Sequence, residues 1–280
     1  MKKFFLLITL LTSMLTASAA TPIELKVWPD GAPNPVPFGF TEEQAKKNNI
    51  VEEPVLLVYP AKNPNGLSVV ACPGGGYGHL ARYHEGTDMA DWFNAQGITY
   101  AVLLYRMPQG HDEVPLSDAL QAIRLMRANA DQWGIKKVGI MGSSAGGHLA
   151  ATAATHYTPD SRPDFQILFY PVISLDPAIT HMGTHDNLIG KDGSKEKEEL
   201  YSNELQVTPD TPVAFIMHSS NDGTVPVENT LRYFRALTDN KVYSTMHIYP
   251  TGGHGWGFRD SFPYKPQWTS ELTYWLSQQK

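Results

Sequence analysis

Gly142-Ser143-Ser144-Ala145-Gly146 reads G-x-S-x-G with Ser144 at its centre, because residue 141 is Met and cannot supply a leading glycine for Ser143. The strand-like run 137–141 leads into it and the small-residue segment 145–154 leads out, so Ser144 stands at a strand–turn–helix apex. Such an apex holds its serine in a strained backbone conformation with the hydroxyl presented, and the two glycines let the arms approach closely. A serine hydroxyl becomes a nucleophile when a histidine takes its proton and an acid orients that histidine. At an elbow of this kind the acid and the histidine follow the serine in that order.

The histidine is expected in the glycine-rich stretch 249–257, directly after the last strand-like run, where Gly252-Gly253-His254-Gly255 presents His254 on a loop. His247 lies inside that run, where its ring is packed. His148 sits four residues past Ser144, behind the nucleophile, and reads as structural. The acid is expected after the preceding run, 213–218, in Asn221-Asp222-Gly223, just before Pro226 opens a helix. Asn-Asp-Gly is also a common turn sequence, but its position makes Asp222 the partner of His254. A third element follows the early run 68–72: Cys72-Pro73-Gly74-Gly75-Gly76-Tyr77 exposes backbone N–H groups. Gly75 and Gly76, with Ala145 after the nucleophile, are the expected oxyanion donors. Neither a G-x-G-x-x-G frame nor a Gly-Lys-Ser/Thr ending accompanies these glycines, which argues against a nucleotide phosphate.

The elements that must position these groups are legible as alternation. Apolar runs at 55–59, 68–72, 99–104, 137–141, 165–170, 213–218 and 243–249 predict strands, several buried on both faces. Stripes at helical spacing lie between and after them: Leu116, Leu120, Ile123 and Met126; Val227, Leu231 and Phe234; Trp268, Leu272, Trp275 and Leu276. Strands alternating with helices predict an α/β fold, a mostly parallel central sheet with helices on both faces. Residues 28–50, rich in Pro, Gly and Asn, are expected to wrap the surface. Residues 173–210 form a polar insertion, either a solvated connection carrying one short helix or a lid facing the substrate. No internal repeat appears, and residues 21–280 read as a single catalytic domain.

The first twenty residues carry Lys2 and Lys3, the apolar run 4–11 and the small residues Ala17-Ser18-Ala19-Ala20. These are the three parts of a signal peptide cleaved near Ala19 or Ala20, and the run falls short of the roughly 20 apolar residues that span a bilayer. Export to the periplasm or the medium is the expectation, with no membrane anchor after cleavage. The chain is mildly acidic, with 22 Lys+Arg against 28 Asp+Glu, and losing two lysines makes it more so; nucleic acid is not an expected partner. Cys72 is the lone cysteine and reads as a buried structural thiol. His181 and His185 are four apart, but no Glu follows His181 and Gly183 makes a helix doubtful, so no metal or other cofactor is expected. Glu85 and Arg106 are single charged residues near strand ends, expected to pair with buried polar groups although either could line a cleft.

Taken together, Pro-Gly-Gly-Gly-Tyr, Tyr105-Arg106, Gly-Ser-Ser-Ala-Gly-Gly-His, Asp222-Gly-Thr-Val-Pro and Gly-Gly-His254-Gly resemble the carbohydrate-esterase branch of the α/β-hydrolase serine esterases, over about residues 50–278. That branch includes acetyl xylan esterases and feruloyl-esterase-like enzymes. Pro73 stands where the lipase-like pattern His-Gly-Gly-Gly has histidine, which moves the chain toward the sugar-ester branch. The resemblance implies removal of acetyl groups from xylan or a related hemicellulose by way of an acyl-enzyme, with a carbohydrate ester as substrate. Tyr77 and Trp256 flank the motifs and are expected at the substrate, walling off an acetyl pocket or stacking on a feruloyl group. A prolyl-oligopeptidase-type peptidase shares the fold and the order of the triad, but is expected to carry a large accessory domain. A non-catalytic carbohydrate-binding relative would be expected to lack a member of the triad.

Overall fold

A computed structural model describes residues 21–279; the expected signal peptide, 1–20, lies outside the described residues. Every predicted run becomes a strand of one eight-stranded sheet in the order β1-β2-β4-β3-β5-β6-β7-β8. The strands are β1 Ile23–Lys26, β2 Val55–Tyr59, β3 Leu67–Cys72, β4 Thr99–Leu104, β5 Lys137–Ser143, β6 Phe165–Phe169, β7 Val213–Ser219 and β8 Ser244–Tyr249. From β4 to β8 all pairings are parallel, while β1 and β2 join antiparallel at one edge. β1 was not foreseen. It is short and largely exposed, and its sequence IELK shows no apolar run.

Helices flank the sheet: α1 Glu42–Asn48, α2 Ala90–Ala95, α3 Glu113–Ala128, α4 Ala130–Trp133, α5 Ala145–Ala153, α6 Met182–Ile189, α7 Lys195–Leu200, α8 Glu228–Asp239 and α9 Lys265–Ser277. α5 is buried along its whole length, and its small side chains let it lie close to β5 and β6. α9 packs Trp268 against Phe169 and sets Trp275 against Phe165 and Phe215, so the third predicted stripe closes the core. The wrapping segment 28–50 contains α1, started by a Thr41–Gln44 capping box. It is pinned to the body by Arg106 and Asp118, a buried pair at 2.7 Å, with Trp28 Nε1 donating to Asp118 and Arg106 donating to the carbonyls of Pro33 and Asn34. Arg106 is thus a structural residue.

The insertion 173–210 holds α6, α7 and a single 3₁₀ turn at Asn203–Leu205, where one short helix was expected. Gly183 does not prevent α6. It lies in the first turn, and its missing side chain makes room for the His181 ring, whose Cε1 would sit 2.9 Å from a Cβ there.

His148 on α5 is wholly buried: Tyr77 Oη donates to its Nδ1 at 3.0 Å, and its Nε2–H donates to the Tyr201 carbonyl at 2.8 Å. Burial pushes this ring down to about 4. Between about pH 6.5 and 4 the unfolded chain binds a proton there that the folded chain does not, so stability falls as pH falls through that window. The expected loss from this ring is at most about 3 kcal/mol. Thermal melts of the wild type and a His148→Asn variant should show a falling Tm for the wild type from neutral pH to acid and a flatter profile for the variant. Parallel profiles would contradict this origin.

Candidate active site

Ser144 follows β5 at φ 54° and ψ −122°, a region L-residues seldom occupy. Close packing leaves this turn little freedom. A Cβ on Gly142 would lie 2.0 Å from the Gly146 carbonyl oxygen, and one on Gly146 would lie 2.0 Å from that of Cys72. Backbone bonds from Ser144 N–H to the Phe169 carbonyl, and from Val172 N–H to the Ser144 carbonyl, both at 3.0 Å, fix the apex from the β6 side.

The Ser144 hydroxyl donates to His254 Nε2 at 2.8 Å, and His254 Nδ1–H donates to Asp222 Oδ2 at 2.6 Å. The structure therefore brings together the three residues chosen from sequence. Asp222 Oδ1 also accepts from the backbone N–H groups of Thr224 and Val225 at 2.8 and 2.9 Å, so the Asn-Asp-Gly turn holds the carboxylate in place. Burial would raise this carboxyl, but hydrogen bonds from His218 and His254 hold it well below the usual carboxylate range. It stays ionised and keeps the His254 proton on Nδ1, leaving Nε2 free to accept from serine.

Gly75 and Gly76 have φ of 133° and 61°, and Tyr77 follows at 58°. Their loop and Ala145 flank Ser144, and none of the three N–H groups at Gly75, Gly76 and Ala145 makes a backbone hydrogen bond. Gly74 is not available in the same way, because its N–H donates to Glu85 Oε2 at 2.8 Å. Gly75, Gly76, Ser144, His181, His254 and Arg259 are among the residues lining a cavity of about 390 Å³.

Tyr77 and Trp256 were expected to line that cavity; the structure places both elsewhere. The left-handed backbone at Tyr77 turns its side chain into the core, where it meets His148 and Tyr105. Trp256 stacks on Phe262 at 4.0 Å between ring centres and donates its indole N–H to Ser219 Oγ. Both support the loops from beneath. His247 packs on Phe215 within the sheet, and burial raises the Cys72 thiol, consistent with a structural role for each.

Asn221 and Tyr170 escaped the sequence reading, and Glu85, expected to pair with a buried polar group or line a cleft, does both. Asn221, beside the acid, accepts from Gly253 N–H at 2.9 Å and so anchors the histidine loop. Glu85, read mainly as structural, is buried and joins two loops. Its Oε1 accepts from Tyr170 Oη at 2.9 Å, and Tyr170 Oη in turn accepts from Gly257 N–H at 2.8 Å. The Tyr170 ring meets His254 edge-on at 4.8 Å. Burial raises the Glu85 carboxyl, and the hydrogen bonds from Tyr170 and Gly74 partly offset this. No short motif marks Glu85 or Tyr170, since their link appears only when chain segments 85 residues apart meet.

The Glu85 carboxylate thus couples the glycine loop to the histidine loop. Glu85→Gln sets an amide against two donors, one of which must lose its acceptor. We expect kcat to fall on the order of 100-fold, the scale of a small misplacement of catalytic groups, with KM nearly unchanged. Steady-state kinetics on a simple acetyl ester check this; an unchanged kcat would remove the coupling role.

The chain from Arg106 to residue 280 matches the model of the prolyl oligopeptidase family, Peptidase_S9. It is 40% identical over 227 residues to an acetylxylan esterase of Xylanibacter ruminicola, covering 79% of this chain and 47% of that protein. It is 35% identical to endo-1,4-beta-xylanase B of Butyrivibrio fibrisolvens, covering 67% of this chain and 32% of that protein. The chain thus spans about half or less of the length of these two curated relatives. A solved structure of an acetyl ester-xyloside bifunctional hydrolase from Caldicellulosiruptor lactoaceticus superposes with a TM-score of 0.80 at 34% identity, covering 93% of this chain and 98% of that one. The expectation that set the peptidase type apart by its accessory domain concerned activity and did not anticipate this family match. With the elbow, the acid turn and the histidine loop all inside the matched region, the chain belongs to the prolyl oligopeptidase family of α/β-hydrolases.

Proposed function

We propose that this chain is a serine carboxylic ester hydrolase that removes acetyl groups from xylan or related hemicellulose oligosaccharides. The observation that carries the reading is the unbroken relay from Ser144 through His254 to Asp222, opening onto a cavity of about 390 Å³ lined by several polar side chains. Ser144 Oγ attacks the acetyl carbonyl carbon while His254 Nε2 takes its proton. The oxygen of the tetrahedral intermediate is stabilised by N–H groups of Gly75, Gly76 and Ala145. Its collapse breaks the ester bond, and His254 returns the proton to the departing sugar oxygen. Water, deprotonated by His254, then attacks the acetyl-serine, releasing acetate and restoring Ser144. The residues in hand suffice for each of these steps.

The lining favours this substrate class over the alternatives. Besides glycine and the triad residues it offers His79, His84, His181, Thr224, Glu85 and Arg259, with Ala81 as its apolar side chain. It includes no long apolar side chain to receive a fatty acyl group and no Phe, Tyr or Trp ring to stack on a hydroxycinnamate. The names of the relatives point the same way, toward acetyl esters on xylan-type sugars. Export to the periplasm or the medium, proposed from residues 1–20, would bring the enzyme to a polymeric substrate.

Acetate release from acetylated xylan, measured beside ferulate release from a feruloylated oligosaccharide and cleavage of a prolyl anilide, separates these readings. Acetate release should dominate, and kcat/KM should drop at least about tenfold from acetyl to octanoyl esters. Faster ferulate release, equal turnover of octanoyl esters, or efficient anilide cleavage would overturn the acetyl assignment.

A further inference from the structure

α6 reaches the active site from the 173–210 insertion, and two of its contacts meet the glycine loop. Asn187 Nδ2 donates to the Gly76 carbonyl at 2.8 Å, and the His181 ring lies over Gly76, with Cε1 3.3 Å from where a Cβ would stand. His181 is the N-cap of α6: Thr184 N–H donates to its Nδ1 at 3.2 Å, and Thr184 Oγ1 lies 2.9 Å from the same nitrogen. A ring nitrogen that accepts from a backbone N–H carries no proton in the neutral ring, so the proton sits on Nε2. The hydrogen bonds of this ring involve Nδ1 alone, and the ring lines the same cavity as Ser144 and His254.

The geometry points to His181 as a substrate-binding residue whose Nε2–H donates to a hydroxyl or ring oxygen of the sugar that carries the acetyl group. This rests on the carbohydrate ester reading above and adds a specific donor to it. The helix cap fixes the tautomer, so the residue presents one donor of known polarity. Burial, and then the neighbouring His254, lower the ring from its ordinary value, so it keeps the neutral form below the pH at which a free imidazole takes up a proton. A metal role with His185 does not compete. His185 is turned toward Asp186 and Glu198, at 2.9 and 3.2 Å, and the described residues contain no metal-binding cluster. Glycine at 76 and at 183 leaves the space the ring occupies. Donors aimed at substrate hydroxyls give stronger discrimination than apolar contacts, because an unmatched analogue leaves a polar group unpaired.

Two substitutions separate the donor from the cap. His181→Asn keeps a good N-cap and removes the Nε2–H; His181→Gln keeps an N–H near that position and weakens the cap. The readout is the ratio of kcat/KM for acetylated xylobiose to that for p-nitrophenyl acetate, whose leaving group is not a sugar. We expect the ratio to fall about tenfold in His181→Asn, the scale of one lost hydrogen bond, and to stay nearer wild type in His181→Gln. An unchanged ratio in His181→Asn, or equal losses in the two variants, would overturn the assignment while leaving the esterase reading intact. A wild type that hydrolyses p-nitrophenyl acetate but not acetylated xylobiose would instead overturn the sugar reading, and with it the ligand given to His181.

Discussion

Ser144 occupies a backbone conformation that persists only where its surroundings over-determine it, and much of the fold can be understood as that surrounding. β5 delivers the chain to the apex and α5 carries it away. The two meet so closely that Gly142 and Gly146 touch backbone carbonyls where any side chain would clash. β3 stands beside β5 and supplies the Cys72 carbonyl against Gly146. β6 supplies the Phe169 carbonyl that receives the Ser144 N–H. The parallel register of these central strands therefore sets the position of the nucleophile. The same register puts the ends of β7 and β8 side by side, from which Asp222 and His254 reach across.

A second layer of contacts keeps the loops from drifting. Asn221 holds the histidine loop to the acid turn, and Glu85 with Tyr170 holds it to the glycine loop. Tyr170 itself, like Ser144 and Tyr77, is a non-glycine residue with positive φ, here 36°, just past the end of β6. The insertion acts on the glycine loop through Asn187 at the Gly76 carbonyl. Two loops and one insertion, far apart in sequence, are thus set relative to one serine by single polar contacts. Glu85 does so from a buried position, binding the glycine loop directly and the histidine loop through Tyr170.

The sheet was legible because strands covered on both faces must be apolar almost throughout. β1 was not, because an exposed edge strand of four residues is held by its backbone pairing to β2 and needs no apolar run. The residues of the relay could be found by position relative to strand ends, since this fold presents chemistry where its parallel strands stop. Tyr77 and Trp256 were placed wrongly for a physical reason. Proximity in sequence to a functional glycine does not determine side-chain direction when the backbone passes through positive φ, and here the turns send both rings into the core. The roles of Glu85, Tyr170 and His181 depend on contacts between distant segments. The sequence marked Glu85 only as a residue that could pair or line a cleft and His181 only through its spacing to His185, and nothing local marked Tyr170. Gly183 argued against α6 only while the His181 ring that fills the space beside it was unseen.

The central claim is that Ser144 alone is the activated nucleophile. The most direct measurement is treatment of the native enzyme with an organophosphate, followed by peptide mapping of the adduct. The account predicts loss of esterase activity in step with a single adduct on Ser144, and no adduct in Ser144→Ala. An adduct on another residue, or full activity after Ser144 is modified, would contradict it.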